Sequence, residues 1–281
     1  MSELQIIILA FVQGVTEFLP ISSSGHLAVL SPLMNWQDQG LGFDISVHVG
    51  TLFAVLVFCR AQLWIMIKGC IETIATRSLN AGFMLALMLV IATLPIIFAG
   101  FLLKDMVEML LRNMYIIAST TLIFGILLGI ADRKNNPQPV IMEKMGWRQA
   151  LAIGAMQILA LVPGVSRSGI TITAALMLGF DRKSSANFSF LLSIPTILGA
   201  ATLLLVDLYQ QNKGASQEAE RAIAIQDMIH YMMGAGIAAI IALLSMRLLM
   251  AWLSKSGFMP FVIYRIALGL FLLFYAQYFL R

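Results

Sequence analysis

The sequence predicts an all-α polytopic membrane protein arranged as an inverted-topology repeat, each half one re-entrant helical hairpin plus three transmembrane helices. Three observations predict it. The first is composition: of 281 residues, 60% are hydrophobic and 11% charged, and mean hydropathy is +0.90. An average soluble domain is about half apolar and about a quarter charged. The second is length, because several runs reach the roughly 17–25 apolar residues that cross a bilayer. The third is self-similarity, sought first in any chain of this kind. QGVTEFLPISSSG at 13–25 and QILALVPGVSRSG at 157–169 align at a fixed offset of 144 positions, matching Gln13 with Gln157, Ser22 with Ser166, Ser24 with Ser168 and Gly25 with Gly169.

The elements follow in chain order. Residues 1–135 make the first expected repeat and 136–281 the second, within a single membrane domain. The first opens with a hairpin over 4–34, whose apolar arms at 4–19 and 27–34 are too short to span. Its opening run carries Glu3 and lacks both a basic leader and a small-residue cleavage site, so it reads as mature fold and not as a signal peptide. Three spans follow: one centred on 45–59, with its helix running from about Phe43 to about Trp64, then 83–103 and 114–131. The second repeat has a hairpin over 147–180, with arms at 147–162 and 170–180, then spans at 190–206, 229–252 and 258–280.

One hairpin plus three crossings is an odd number of passes, so the second half must lie upside down relative to the first. Irregular backbone at bilayer depth survives only where protein or a wet cavity covers it, and the two loops are therefore expected to face each other and form one site. Eleven lysines and arginines (Arg60, Lys68, Arg77, Arg133, Lys134, Lys144, Arg148, Arg182, Lys183, Arg247 and Lys255) fall on one side. Five fall on the other: Lys104, Arg112, Lys213, Arg221 and Arg281. The positive-inside rule makes the richer side cytoplasmic, with both termini outside and the first hairpin opening outward. A net charge of +4 placed in this way is a membrane signature and not a nucleic-acid footprint. Two cysteines, Cys59 and Cys70, form no disulfide or metal pattern.

Charges at membrane depth are costly and point to function. Glu17, His26 and Arg167 all fall within the two loops. Gln13 and Glu17, four apart, share a helical face, and their oxygens suit a hard divalent cation that bridges to phosphate. Ser22, Ser23, Ser24 and Gly25 supply hydroxyls and a tight turn before a helix whose positive end favours an anion. His26 lies three residues beyond Ser23, within reach for a base and nucleophile pair; the competing structural reading is a serine cap with a histidine that satisfies the turn. Ser166, Arg167, Ser168 and Gly169 form the second loop, in which Arg167 matches phosphate oxygens or pairs with Glu17. Arg265 reads as a snorkelling cation near the cytoplasmic end of its span, His48 as a satisfied interior group, and His230 as near-surface.

These residues resemble a known family. Gln13-x-x-x-Glu17 with the following FLPISSSGH, and LVPGVSRSGIT over 161–171, are similar to the bacterial undecaprenyl-diphosphate phosphatases of the bacitracin-resistance type. NFSFLLSIP at 187–195 and PFVIYR at 260–265 extend the resemblance along essentially the whole chain. It implies hydrolysis of the C55 isoprenoid diphosphate to its monophosphate and inorganic phosphate. A divalent cation (Mg²⁺ or Ca²⁺), a plasma-membrane site reached from the outer side, and a homodimer also follow from it. Carried over, the acidic motif falls on Gln13 and Glu17, the serine nucleophile on Ser23, its histidine partner on His26 and the phosphate-binding arginine on Arg167. From the loops themselves, substrate contacts are expected at Ser22, Ser24, Gly25, Ser166, Ser168, Gly169 and Thr171. Gln13 stands where the family uses Glu or Gln, so an amide here removes one carboxylate from the cation site. The rival reading is a secondary transporter or lipid-phosphate flippase, since broken inverted helices also build transporters. Such a protein has little need of a Ser/His pair beside the arginine.

Overall fold

A computed structural model describes the chain apart from Asn35, Asp38 and residues 104–112, 134–138, 212–216 and 280–281; the side chains of Pro32, Leu204 and residues 207–227 are likewise not described. Of the cations that set the expected orientation, Lys104, Arg112, Lys134, Lys213 and Arg281 lie outside the described residues, as does the Arg221 side chain.

Helices α1 (Glu3–Thr16), α2 (Ser23–Leu33), α3 (Gly40–Phe58), α4 (Arg60–Thr76), α5 (Ala81–Leu102) and α6 (Met114–Arg133) come first. Then follow α7 (Trp147–Gln157), a 3₁₀ turn over Ile158–Leu161, α8 (Arg167–Met177), α9 (Arg182–Gln211), α10 (Gln217–Leu253) and α11 (Met259–Phe279). Six of these are long and apolar enough to cross a membrane: α3, α5, α6, α9 over Arg182–Leu203, α10 over Met228–Leu253, and α11. Their outward faces carry Phe53, Leu94, Phe98, Phe101, Ile123, Leu248 and Phe274, more than half exposed, as a hydrocarbon-facing surface requires. Each matches an expected span, with two boundaries corrected. The third helix does not continue to Trp64. It breaks at Cys59 (φ −86°, ψ 9°), which also caps α4. The arm expected over 147–162 is helical only to Gln157 and then tightens into the 3₁₀ turn.

The short helices begin earlier than their apolar runs suggest. Pro20 and Pro163 interrupt the chain, and the helices restart at Ser23 and Arg167, so the motif residues occupy first helical turns more than loops. Both restarts use one device. Ser22 and Ser166 sit at φ 75° and 72°, and each side-chain oxygen accepts from the backbone N–H three residues on: Gly25 at 3.3 Å and Gly169 at 3.0 Å. The hydroxyl satisfies an N–H that the helix start leaves free, offsetting the cost of a left-handed non-glycine residue.

Packing fixes where these turns sit. α1 lies along α10, with Gly14 against Ala238 and Ile241, and α7 lies along α5, with Gly154 against the Ala92 backbone. Any side chain at either glycine would separate the helices. The main core gathers Phe18, Phe188, Phe190, Leu192, Ile172, Met246 and Leu249, and Phe18 meets Phe190 edge to face at 5.7 Å, anchoring the chain just after Glu17. Remote from the two turns, the Asp132 carboxylate accepts from Arg182 Nε at 2.6 Å and from Phe258 N at 2.9 Å. This joins α6, α9 and the start of α11 beside a polar cavity of about 770 Å³.

Candidate active site

The two turns meet. Ser168 Oγ donates to Leu19 O at 2.9 Å, and Thr120 Oγ1 on α6 donates to Pro163 O at 2.6 Å. Gly164 (φ 88°) presses so closely on Thr120 and the Ile117 carbonyl that a side chain there would collide with backbone. The buried guanidinium of Arg265 (0% exposed) closes the junction. It donates to Pro20 O (3.2 Å) in the first turn, to Gly164 O and Val165 O (both 2.9 Å) in the second, and to Thr121 O (3.2 Å). Arg265 therefore does not snorkel. Carbonyl oxygens freed by the broken helices would be costly if unpaired, and one planar fork of donors satisfies them across both turns.

Glu17 lies at the centre, 6% exposed, and its two oxygens have different partners. Oε1 accepts from Arg167 Nη2 at 2.7 Å. Oε2 accepts from Ser23 Oγ at 2.6 Å and from Gln13 Nε2 at 3.0 Å. His48 Nε2 stands 3.9 Å from the same Oε2. The ion pair between Glu17 and Arg167 thus joins the first turn to the second, a buried arrangement in which removal of either charge strands the other.

His26 is not hydrogen-bonded to Ser23, contrary to the expected pair. Its Nδ1 lies 2.6 Å from Ser22 O, and a carbonyl can only accept, so Nδ1 carries the proton. Nε2 then accepts from Tyr264 OH at 2.6 Å, with the two rings stacked 5.7 Å apart. A histidine three residues after a serine in one helical turn is directed by the local backbone first, and here that backbone takes the ring.

The remaining expected residues divide. Ser22 and Ser166 spend their hydroxyls on the helix caps, as the structural reading of a serine-rich turn anticipates. Ser24 is exposed, 3.5 Å from the Ser22 oxygen, while Ser168 is buried. Gly25 lies beside Gly164 across the junction, and Gly169 lies against the Arg265 guanidinium. Thr171 is buried and donates to Arg167 O and to Ser189 Oγ, supporting the helix start without facing outward. His48 and Arg265 are the residues whose placement sequence reasoning missed, and Tyr264 entered it only inside a motif. The signal for Arg265 was present: a charge inside a span deserves a partner search before a snorkelling assignment.

Among the described residues no group of three or more His, Cys, Asp or Glu is placed to hold a metal. A cation here would need an amide oxygen. Gln13 supplies one: it is fully buried, its nitrogen is held by Glu17, and its Oε1 has no hydrogen-bond partner. An unpaired buried carbonyl beside a carboxylate fits a divalent cation.

Residues 6–271 match the family model described as bacitracin resistance protein BacA, nearly the whole chain.

Proposed function

We propose a mechanism from one premise: the chain belongs to the bacitracin resistance protein family, whose members are undecaprenyl-diphosphate phosphatases, and it catalyses that hydrolysis. It is a multi-span membrane protein acting on a lipid diphosphate. The observation that carries the mechanism is the shared Glu17 carboxylate, which holds Ser23 on one oxygen and Arg167 on the other.

In this reading the terminal phosphate of the substrate takes the Arg167 guanidinium, which matches two phosphate oxygens. The N-terminal turns of α2 and α8, both starting at the junction, add backbone N–H groups and positive helix ends. Phosphoryl transfer requires mainly positioning and charge neutralisation, and these groups provide both. Ser23 attacks the terminal phosphorus as Glu17 Oε2, already 2.6 Å away, accepts its proton. The phosphorus–oxygen bond to the bridging oxygen breaks, and undecaprenyl phosphate leaves. Water then cleaves the phosphoserine and returns the serine hydroxyl and inorganic phosphate. His26, freed from Tyr264, is the base for that water. Gln13 Oε1 and Glu17 are the oxygens that would hold a divalent cation, which when bound neutralises phosphate charge.

The same proposal includes the inverted repeat of 1–135 and 136–281. Its support is the pair of turns with equal φ and equal cap offsets, and the exchange of partners in which α1 lies on α10 as α7 lies on α5. The charge count supports a site opening to the outer face of a bacterial plasma membrane. Family resemblance supports a homodimer.

The test is phosphate release from undecaprenyl diphosphate by the purified protein in lipid nanodiscs, with Mg²⁺ or Ca²⁺ and then EDTA, beside Arg167→Ala. Metal-dependent release abolished by the substitution supports this site. Release indifferent to Arg167 would move the chemistry elsewhere.

A further inference from the structure

We infer that His48 is a nitrogen ligand of the divalent cation, making the site a mixed His/Glu/Gln set that favours Mn²⁺ over Mg²⁺ and Ca²⁺. This rests on the cation reading above and extends it to a residue on a different helix.

Four observations converge. His48 stands on α3, apart from both turns, yet its Nε2 is 3.9 Å from Glu17 Oε2. That is too long for a hydrogen bond and within the span of two ligand bonds of about 2.0–2.2 Å to one ion. The other ring nitrogen, Nδ1, lies 2.7 Å from Asp44 O. Since the carbonyl only accepts, Nδ1 carries a proton, and Nε2 is left as the ring nitrogen nearer the carboxylate. Histidine ligands are held in this way, with one ring N–H given to a backbone carbonyl and the opposite nitrogen free to bind metal.

Next, Glu17 has little need of His48 as a cationic partner. Its Oε1 already accepts from Arg167, and its Oε2 from Ser23 and Gln13. A protonated imidazole pairing with carboxylate would close to about 2.7–2.9 Å. Finally, the unpartnered Gln13 Oε1 adds a third donor atom, on a buried side chain that itself bonds Glu17 Oε2. The proposed ligand set is then a carboxylate oxygen of Glu17, just past α1, the amide oxygen of Gln13 on α1 and the Nε2 of His48 on α3.

Ligand chemistry sets the metal class. Sites made only of oxygen suit Mg²⁺ and Ca²⁺, whereas imidazole raises affinity for first-row divalent ions. The structure thus assigns His48 a task that moves metal preference within a carboxylate and amide site.

The experiment uses the full chain in nanodiscs with Mn²⁺ and reads directly bound nitrogen by pulsed electron paramagnetic resonance. The chain has three histidines, so labelling them with ¹⁵N is informative without any substitution. The expected result is a directly coordinated ¹⁴N signal that becomes ¹⁵N on labelling, persists in His26→Gln and disappears in His48→Gln. Mn²⁺ affinity should fall about tenfold or more in His48→Gln, the scale of losing a metal-site partner, with Mg²⁺ affinity changed far less. Mn²⁺ bound in a Glu17-dependent way with no nitrogen signal would overturn the His48 assignment and leave the cation reading standing. A nitrogen signal surviving in His48→Gln would overturn it in favour of another histidine. Failure to bind Mn²⁺ and Mg²⁺ at all would overturn both.

Discussion

The turns at Ser22 and Ser166 have nearly the same backbone and opposite chemistry. Each places a serine at positive φ, caps its helix with that hydroxyl, and brings a second serine oxygen within 3.5 Å. Among the positions that differ at the offset of 144, three change the chemistry of the site: Glu17 stands opposite Leu161, Ser23 opposite Arg167, and His26 opposite Ile170. The first turn therefore holds carboxylate, hydroxyl and imidazole, and the second holds a single cation. Ser23 and Arg167, at equivalent positions, contact the two oxygens of one carboxylate. In the proposed mechanism the first turn supplies the reactive groups and the second the anion-binding cation, and the Glu17 carboxylate joins them.

The largest effect should come from severing that division of labour. Arg167→Ala is expected to lower kcat/KM by about 10³-fold or more, the scale of an arginine that neutralises a transferring phosphoryl group, with Arg167→Lys recovering only part. Phosphate-release kinetics would measure it. A loss near that of Glu17→Gln, with little further loss in the double variant, would show that the two act as one unit.

Ser23→Ala should come next. A serine nucleophile predicts loss of turnover to background and no trapped phosphoserine, whereas a serine that merely donates to water would leave a measurable fraction. Acid-quench labelling with terminal ³²P separates the two. His26→Gln is expected to slow breakdown of the labelled serine more than its formation.

Arg265→Met addresses the junction and not the chemistry. It strands carbonyls of both turns, and a loss of about 3 kcal/mol in stability is expected from removing a buried hydrogen-bonded charge. Thermal unfolding in nanodiscs would show it, and Tyr264→Phe should lower the transition much less.

The smallest effects test whether the turns are equal. Ser22→Ala and Ser166→Ala should each cost about 1 kcal/mol, the worth of a serine cap. Glycine at either position should cost less, because it relieves the positive φ while losing the hydroxyl. A large disparity between the two sites would break the equivalence.

Much of this was legible in the sequence, for identifiable reasons. Spans announce themselves by length and hydropathy, so α5, α6, α10 and α11 needed no more than composition. Glu17 and Arg167 were legible because a lone charge in an apolar run has few harmless explanations. What escaped depended on direction. The break at Cys59 follows no proline or glycine, and nothing in AVLVFCRAQLW marks it. Ser23 and His26 have the spacing of a pair, yet the Ser22 carbonyl and Tyr264, distant in sequence, claim the imidazole. His48 faces Glu17 only because α3 is packed against α10 and α1, a long-range consequence that no local pattern encodes.

The clamp made by Arg265 also bears on how the protein is made. The arginine reaches back 245 positions to the Pro20 carbonyl and 101 positions to Gly164. Chains emerge from the ribosome N-terminus first, so the carboxylate, serine and imidazole of the first turn enter the bilayer long before the helix that locks them against Arg167. A nascent chain halted ahead of α11 would carry Glu17, Ser23, His26 and Arg167, the groups of the proposed mechanism, and lack the hydrogen bonds by which Arg265 ties the two turns together. Hydrolysis should therefore switch on late and abruptly during biogenesis, when the helix bearing Arg265 inserts.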